Sequence, residues 1–136
     1  MNQQDFTDYI IPKILESFPQ FKEHCERKLY DIIEIRYKSI NEELTLYLTT
    51  QDKEITIGFE ADNELDNWHT HMNLFGAKTP DEELNVAVAL INDILSDKVK
   101  IFFSNEWGYF LSEDIEDDLD NKDKIETIEI KYWSEL

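Results

Sequence analysis

Two histidines one residue apart are the first feature of this sequence that could carry chemistry. In Trp68-His69-Thr70-His71 the alternation is typical of a β-strand, on which both imidazoles would project from one face, about 7 Å apart. Imidazoles at this spacing can bind zinc, with a carboxylate such as Asp66 as a third ligand. No further histidine or cysteine cluster lies nearby, so we predict no metal and no other cofactor. We expect a strand surface, on which Trp68, His69 and His71 could contact a partner protein because such side chains anchor interfaces well.

An acidic run in the last quarter of the sequence is the second such feature. Its carboxylates are Glu113, Asp114, Glu116, Asp117, Asp118 and Asp120, with Asp123 beyond them. Closely spaced carboxylates repel one another, so the run is typical of a solvated connector, but it could also dock a positively charged partner. Calcium binding is disfavoured because the spacing lacks the glycine turn and the terminal glutamate of an EF-hand loop. We place these six residues among the predicted partner-binding residues.

Reaction motifs are otherwise absent from the sequence. Gly58, Gly76 and Gly108 are widely separated, so they form no phosphate-binding loop, and there is no Gly-x-Ser-x-Gly elbow. Cys25 follows His24 directly, but neighbouring side chains diverge on an ordinary backbone and do not make a catalytic pair. We therefore predict that the protein is not an enzyme and has no catalytic residues.

The charge balance is strongly acidic and limits the choice of partner. The chain of 136 residues has 31 acidic and 13 basic side chains, a formal net charge of −18. Nucleic acids and anionic membranes are disfavoured, because binding either one needs lysine and arginine to replace counterions. A basic protein would be attracted and steered into contact. The alternative is that the charge only keeps the protein in solution.

Cysteine content and the lack of apolar segments indicate a compartment. Cys25 is the single cysteine, so no intramolecular disulfide can form, which suits a reducing cytoplasm. The segment 1–5 lacks the basic start and apolar run of a signal peptide. No stretch approaches the roughly 18 apolar residues of a membrane span. We predict a cytoplasmic protein, and no oligomeric state is predicted.

A helix is predicted near the start of the chain, at about 4–18. Its apolar side chains recur at helical spacing, from Phe6 to Phe18. Pro12 removes a backbone donor, so the helix should either kink there or begin close to it. Pro19 marks its end, and 21–28 is expected to be an irregular or short helical connector.

Three segments with a period of two follow the connector. They lie at 31–38, 43–49 and 54–60. Alternate residues of each are apolar, so each strand would present one apolar face to a core. The connectors 39–42 and 50–53 are short enough for hairpins, which predicts an antiparallel meander.

A fourth strand is predicted at 67–72, around the histidine pair. Trp68, Thr70 and Met72 would share one face of it, and the two histidines would share the other. The histidines would then face away from the residues that pack into the core.

A second helix is predicted to begin after Thr79. Thr79 can cap it, Pro80 suits the first helical position, and Glu82 can reach back to complete a capping box. An apolar stripe at helical spacing follows, from Leu84 to Leu95.

Further strands are predicted at 99–103, 107–111 and 125–133. In the last of these, Ile128, Ile130 and Tyr132 would face the core, which leaves Trp133 on the opposite face as an exposed partner anchor. The helix and strand order lacks the regular alternation of a parallel sheet. We therefore predict a single α+β domain over 1–136, with a mainly antiparallel sheet of about six strands and two helices packed on one face.

Three parts of the chain resemble a group of bacterial proteins. They are the strand EITIGFE at 54–60, the segment WHTH at 68–71 and the acidic-capped helix after Thr79. Together they resemble the immunity proteins encoded beside polymorphic toxins, over about the middle third of the chain. The resemblance implies a cytoplasmic inhibitor that occludes a cognate basic toxin domain, such as a nuclease, without chemistry of its own. An acidic regulatory protein-binding module and a metal-dependent hydrolase that uses the His-x-His strand are the alternatives.

Overall fold

The computed structural model describes residues 1–111 and 126–136, and these ranges form two α-helices and eight β-strands. The predicted partner-binding carboxylates Glu113, Asp114, Glu116, Asp117, Asp118 and Asp120 lie outside the described residues. The elements are α1 Gln3–Ser17, β1 Cys25–Arg27, β2 Ile33–Lys38, β3 Thr45–Thr49, β4 Thr56–Glu60, β5 His69–His71, α2 Pro80–Leu95, β6 Ile101–Ser104, β7 Gly108–Phe110 and β8 Ile128–Lys131. Every strand pairing within these two ranges is antiparallel, which confirms the predicted α+β class.

Over the described ranges the strands form two sheets. The larger has five strands in the order β1-β2-β3-β4-β5, of which β2, β3 and β4 are the predicted meander, and the smaller has three in the order β7-β6-β8. The sequence predicted about six strands in one sheet and an irregular or helical connector at 21–28. The end of that connector is instead strand β1, which the sequence pattern misses because this three-residue edge strand has no apolar alternation.

One buried apolar cluster joins the two helices to the inner face of the larger sheet. The helices contribute Phe6, Ile10 and Ile14 from α1 and Ala87, Ile91 and Ile94 from α2, and the strands contribute Ile33, Ile35, Leu46, Leu48, Ile57 and Phe59. Alternate strand residues are buried, as the period of two predicts. The opposite face of the sheet therefore consists of the residues between them.

Helix α1 continues across Pro12. It begins at Gln3, where the Asn2 side chain accepts the backbone N–H of Asp5 at 2.8 Å, so the helix does not begin near the proline. Proline inside a helix costs about 3 kcal/mol. Ile10 and Ile14 are fully buried on either side of it, and burial of one such side chain stabilises by about 1.5–3 kcal/mol. Packing therefore outweighs the cost of the proline.

Helix α2 begins as predicted, with one difference in its cap. The Thr79 hydroxyl accepts the Glu82 N–H at 3.2 Å. Glu82 reaches back, but its carboxylate accepts the N–H of Lys78 at 2.6 Å and not that of Thr79. Thr79 and Glu82 thus both cap the first turn. Glu82 accepts the N–H one residue before the one that it would accept in a capping box.

The prediction for the last strand is wrong in its orientation. Trp133 is only 7 % exposed and stacks on Tyr37 with ring centroids 6.3 Å apart, whereas Ile130 is 54 % exposed. The strand ends at Lys131, and a short 3-10 turn at Trp133–Glu135 follows. The turn breaks the strand alternation and directs Trp133 into the core. Trp133 is therefore a core residue and not an exposed partner anchor.

Within 1–111 and 126–136, neither helix combines the length and the apolar character needed to span a bilayer.

Candidate functional site

The outer face of the five-stranded sheet forms a shallow cavity of about 370 Å³. We call this surface the polar face. Its residues are Glu34, Arg36, Tyr47, Thr49, Gln51, Asp52, Glu54, Thr56, Glu60, His69 and His71. Those on strands alternate with the buried apolar residues, so the pattern that builds the core also builds most of this surface. Gln51, Asp52 and Glu54 come from the connection between β3 and β4.

Strand register aligns seven of these residues, together with Gly58, in two rows across the sheet. One row runs Arg36, Tyr47, Gly58, His69. The other runs Glu34, Thr49, Thr56, His71. Side chains directly opposite on neighbouring strands lie about 5 Å apart, so neighbours in a row can touch, except at Gly58, which has no side chain. The two histidines end these rows at the β5 edge.

Arg36 is clamped between two carboxylates. Its Nε and Nη2 donate to the two oxygens of Glu60 at 3.0 and 3.2 Å, and its Nη1 donates to Glu34 at 2.5 Å. The hydrogen bonds to Glu60 and then to Glu34 raise the pKa of Arg36 above its ordinary value. The guanidinium therefore stays charged and holds both carboxylates in fixed positions.

His71 is held by a hydroxyl and a carboxylate at the same ring nitrogen. Its Nδ1 lies 2.9 Å from Thr56 Oγ1 and 2.9 Å from Glu54 Oε1. In a catalytic triad the histidine uses one nitrogen for the hydroxyl and the other for the carboxylate. Here both partners share one nitrogen, so the group orients His71 but does not make Thr56 a nucleophile.

The histidine pair is close but lacks a third ligand. The rings of His69 and His71 meet edge to face with centroids 5.5 Å apart. Among the described residues, no three histidine, cysteine, aspartate or glutamate side chains are arranged to hold a metal ion. Asp66, the third ligand suggested by the sequence, therefore does not complete a zinc site with the pair.

Gly58 lets Tyr47 lie flat on the sheet. A Cβ at position 58 would come within 2.7 Å of Tyr47 Cζ, of its hydroxyl oxygen and of His69 Cβ. Burial, and then the negative charge of Glu60, raise the pKa of the Tyr47 phenol, so it remains neutral at physiological pH. The sequence did not single out this glycine for such a role, although a glycine inside a strand is a known sign of close approach.

The polar face is net negative. Four of its side chains are carboxylates, Glu34, Asp52, Glu54 and Glu60, and one is a guanidinium. The carboxylates of Glu34, Glu54 and Glu60 are partly exposed. The surface can therefore attract cations and basic side chains.

Of the predicted partner-binding residues that the structure describes, it brings together His69 and His71. Trp68 lies on the opposite side of the same strand segment and packs on Phe59, with ring centroids 5.2 Å apart. Trp133 is in the core, and the six carboxylates of 113–120 lie outside the described residues. The sequence prediction of site residues missed Arg36, Tyr47, Glu54 and Glu60, although the strand alternation had already placed them on the outer face.

No protein-family model, no curated protein and no solved structure matches the chain.

Proposed function

We propose that the polar face binds a basic surface of another protein and that the protein acts by binding alone. The observation that carries this proposal is the convergence of four carboxylates on one concave sheet face. The chain as a whole has a formal charge of −18, so its long-range field and its polar face are both negative. Both favour lysine and arginine on the partner.

The fixed geometry of the carboxylates supports binding of a specific partner. Arg36 holds Glu34 and Glu60, and His71 contacts Glu54 at 2.9 Å. Side chains that are already ordered lose less conformational entropy when a partner arrives. The neutral phenol of Tyr47 at the centre adds an aromatic surface of the kind that is enriched in interfaces.

The proposed partner is a cognate toxin domain, and the proposed place of binding is the cytoplasm. This part rests on the resemblance to immunity proteins of polymorphic toxins. A toxin that acts on nucleic acid carries a basic surface for phosphates, and the polar face would occlude that surface. An acidic module that regulates another basic protein is the second candidate, and the same four carboxylates favour it.

The test compares the polar face with an acidic site elsewhere. The toxin domain encoded beside the gene is titrated with wild type, with the double variant Asp52→Asn and Glu54→Gln, and with Glu16→Gln on the exposed side of α1. Asparagine tolerates the left-handed backbone of position 52, where φ is 61°. We expect the double variant to bind about tenfold more weakly and to associate more slowly, and Glu16→Gln to bind as wild type does.

The outcomes separate the candidates. If the double variant, which removes two charges, loses only twice the binding free energy that Glu16→Gln loses, only overall charge matters, and the polar face would lose its role. Binding to a basic protein other than the toxin would support the regulatory module. Stoichiometric zinc that is lost on replacing His69 and His71 by alanine, together with hydrolytic turnover, would support the metal-dependent hydrolase.

A further inference from the structure

We infer that a second surface, an apolar groove on the far side of β5 from the histidines, binds an apolar, acidic peptide segment of a partner protein. The groove has a volume of about 630 Å³. It lies between the C-terminal half of α2, the turn Met72–Phe75 and strand β6, and it includes Trp68, Leu90 and Phe102. The inference does not depend on the proposed function, because none of its residues belongs to the polar face.

The floor and the rim of the groove differ in exposure. Phe102 on the floor is only 3 % exposed, and Trp68 is supported from below by Phe59 at a centroid distance of 5.2 Å. On the rim, Leu74 is 73 % exposed and Phe75 is also exposed. Large apolar side chains grouped around a groove mark interaction sites more often than scattered ones do.

The turn that carries the rim residues has a defined end. Gly76 adopts a left-handed conformation with φ of +86°, and its N–H donates to the Asn73 carbonyl at 3.1 Å. This conformation favours glycine and closes the turn directly after Phe75. Leu74 and Phe75 are therefore presented at a fixed position beside the groove.

The charge of the groove is opposite to that of the molecule. Lys98 and Lys100 contribute to its lining, and none of the described residues that line it is acidic. Both lysines are exposed, and neither forms a salt bridge with another residue of the described ranges. In a chain with 31 acidic and 13 basic side chains, two lysines and no carboxylate in one groove define a local site for carboxylates.

The shape and charge favour a peptide from a partner over a second copy of this chain. An open groove with apolar walls suits the apolar side of an amphipathic helix, and the two lysines suit carboxylates along its edge. A second copy would bring another −18 of formal charge, and the repulsion between the two copies would oppose binding.

The probe is a short synthetic helical peptide with leucine and phenylalanine along one side and glutamate along the other. Its control is the same peptide with lysine in place of every glutamate. Amide NMR spectra of the full chain are followed during titration with each. We expect the glutamate peptide to shift the signals of Leu90, Val99 and Phe102, and to bind at least about tenfold more tightly than the lysine peptide.

Two variants and one matched control locate the site. Leu74→Asp should weaken binding of the glutamate peptide by about tenfold, whereas Leu29→Asp should leave its binding unchanged. Leu29 is 79 % exposed and lies beyond β1, at the opposite edge of the sheet. Exchanging both Lys98 and Lys100 for glutamate should reverse the preference, so that the lysine peptide binds more tightly.

Three results would overturn the inference. One is that wild type binds the two peptides equally tightly. Another is that Leu74→Asp and Leu29→Asp lose the same affinity for the glutamate peptide. The third is a wild-type dimer in sedimentation equilibrium that Leu74→Asp dissociates, which would assign the groove to a second copy.

Discussion

At the scale of single residues, the polar face depends on Gly58, because this residue has no side chain. Gly58 leaves the space in which the Tyr47 ring lies, and it separates Tyr47 from His69 in one cross-strand row. Interiors and sheet surfaces packed this closely respond to one added methyl group. The sequence shows a glycine within a strand, but the contact that requires it comes from β3 and β5, so the requirement appears only when the strands are paired.

Gly58→Ala should destabilise the protein by about 1–3 kcal/mol, because the new methyl group overlaps Tyr47 and His69. The free energy of unfolding is measured by urea denaturation for Gly58→Ala, Tyr47→Ala and the double variant. We expect Gly58→Ala to cost less in the Tyr47→Ala background, since one of the two overlaps is then gone. The same cost in both backgrounds would show that Tyr47 does not occupy this space.

At the scale of elements, one buried carboxylate joins the second helix to the sheet. Glu83 of α2 is buried, and its Oε1 accepts the backbone N–H of Ile55 at 3.0 Å, just before β4 begins. Burial is the main cause that raises the pKa of Glu83, and the nearby charge of Glu54 also raises it, against the lowering effect of the Ile55 hydrogen bond. The ionised form is thus less favourable in the folded protein than in the unfolded chain.

The raised pKa of Glu83 predicts the direction in which stability changes with pH. Between the ordinary pKa of a glutamate and the raised pKa of Glu83, the folded protein retains a proton that the unfolded chain has released. The contribution of Glu83 to stability is therefore full at low pH and is lost as the pH rises through the raised pKa. Glu83→Gln keeps an oxygen acceptor for Ile55 and cannot ionise.

We expect Glu83→Gln to gain stability relative to wild type as the pH rises through that window, with a constant difference above it. Urea denaturation across the acidic to neutral range measures the difference. Glu16→Gln, which removes an exposed carboxylate from α1, serves as the control for charge alone. A pH-independent difference between Glu83→Gln and wild type would contradict the raised pKa.

Element prediction succeeded where the sequence carries a side-chain pattern, even for the short strand β5, and failed where that pattern is absent or interrupted. Apolar alternation predicted β2, β3 and β4, and the Thr79 cap predicted α2. Strand β1 has three residues and no apolar period, so nothing in its sequence distinguished it from a connector. In the last strand, the alternation predicts a strand as far as Trp133, but the strand ends at Lys131 and the 3-10 turn that follows directs Trp133 into the core.

At the scale of the whole molecule, two surfaces of opposite character lie on either side of β5. His69 and His71 belong to the polar face, and Trp68 and Thr70 belong to the apolar groove. Strand alternation predicted that these two pairs of residues would lie on opposite faces of the strand. The strand period also predicted that the helices would cover the apolar face and leave the polar one open, whereas the groove between α2, Met72–Phe75 and β6 could not be predicted, because it depends on how these elements pack.

The core is also closed at this scale, by contacts between distant parts of the chain. Trp133 stacks on Tyr37, and the carbonyl of Leu136 accepts the N–H of Asn41 at 2.7 Å. Trp133→Ala should therefore lower the free energy of unfolding by about 3–5 kcal/mol, as expected for a buried tryptophan. Trp107, which is 62 % exposed, provides the control, and Trp107→Ala should change stability by less than about 0.5 kcal/mol. Similar values for both variants in urea denaturation would place Trp133 outside the core.

The three tryptophans occupy three different surroundings, and this has a consequence for spectroscopy. Trp133 is shielded in the interior, Trp107 is open to water, and Trp68 lines the groove. Emission wavelength and quenching by acrylamide should therefore distinguish three populations of indole. With the other two replaced, Trp68 would act as an intrinsic fluorophore whose blue shift reports an occupied groove without any added label.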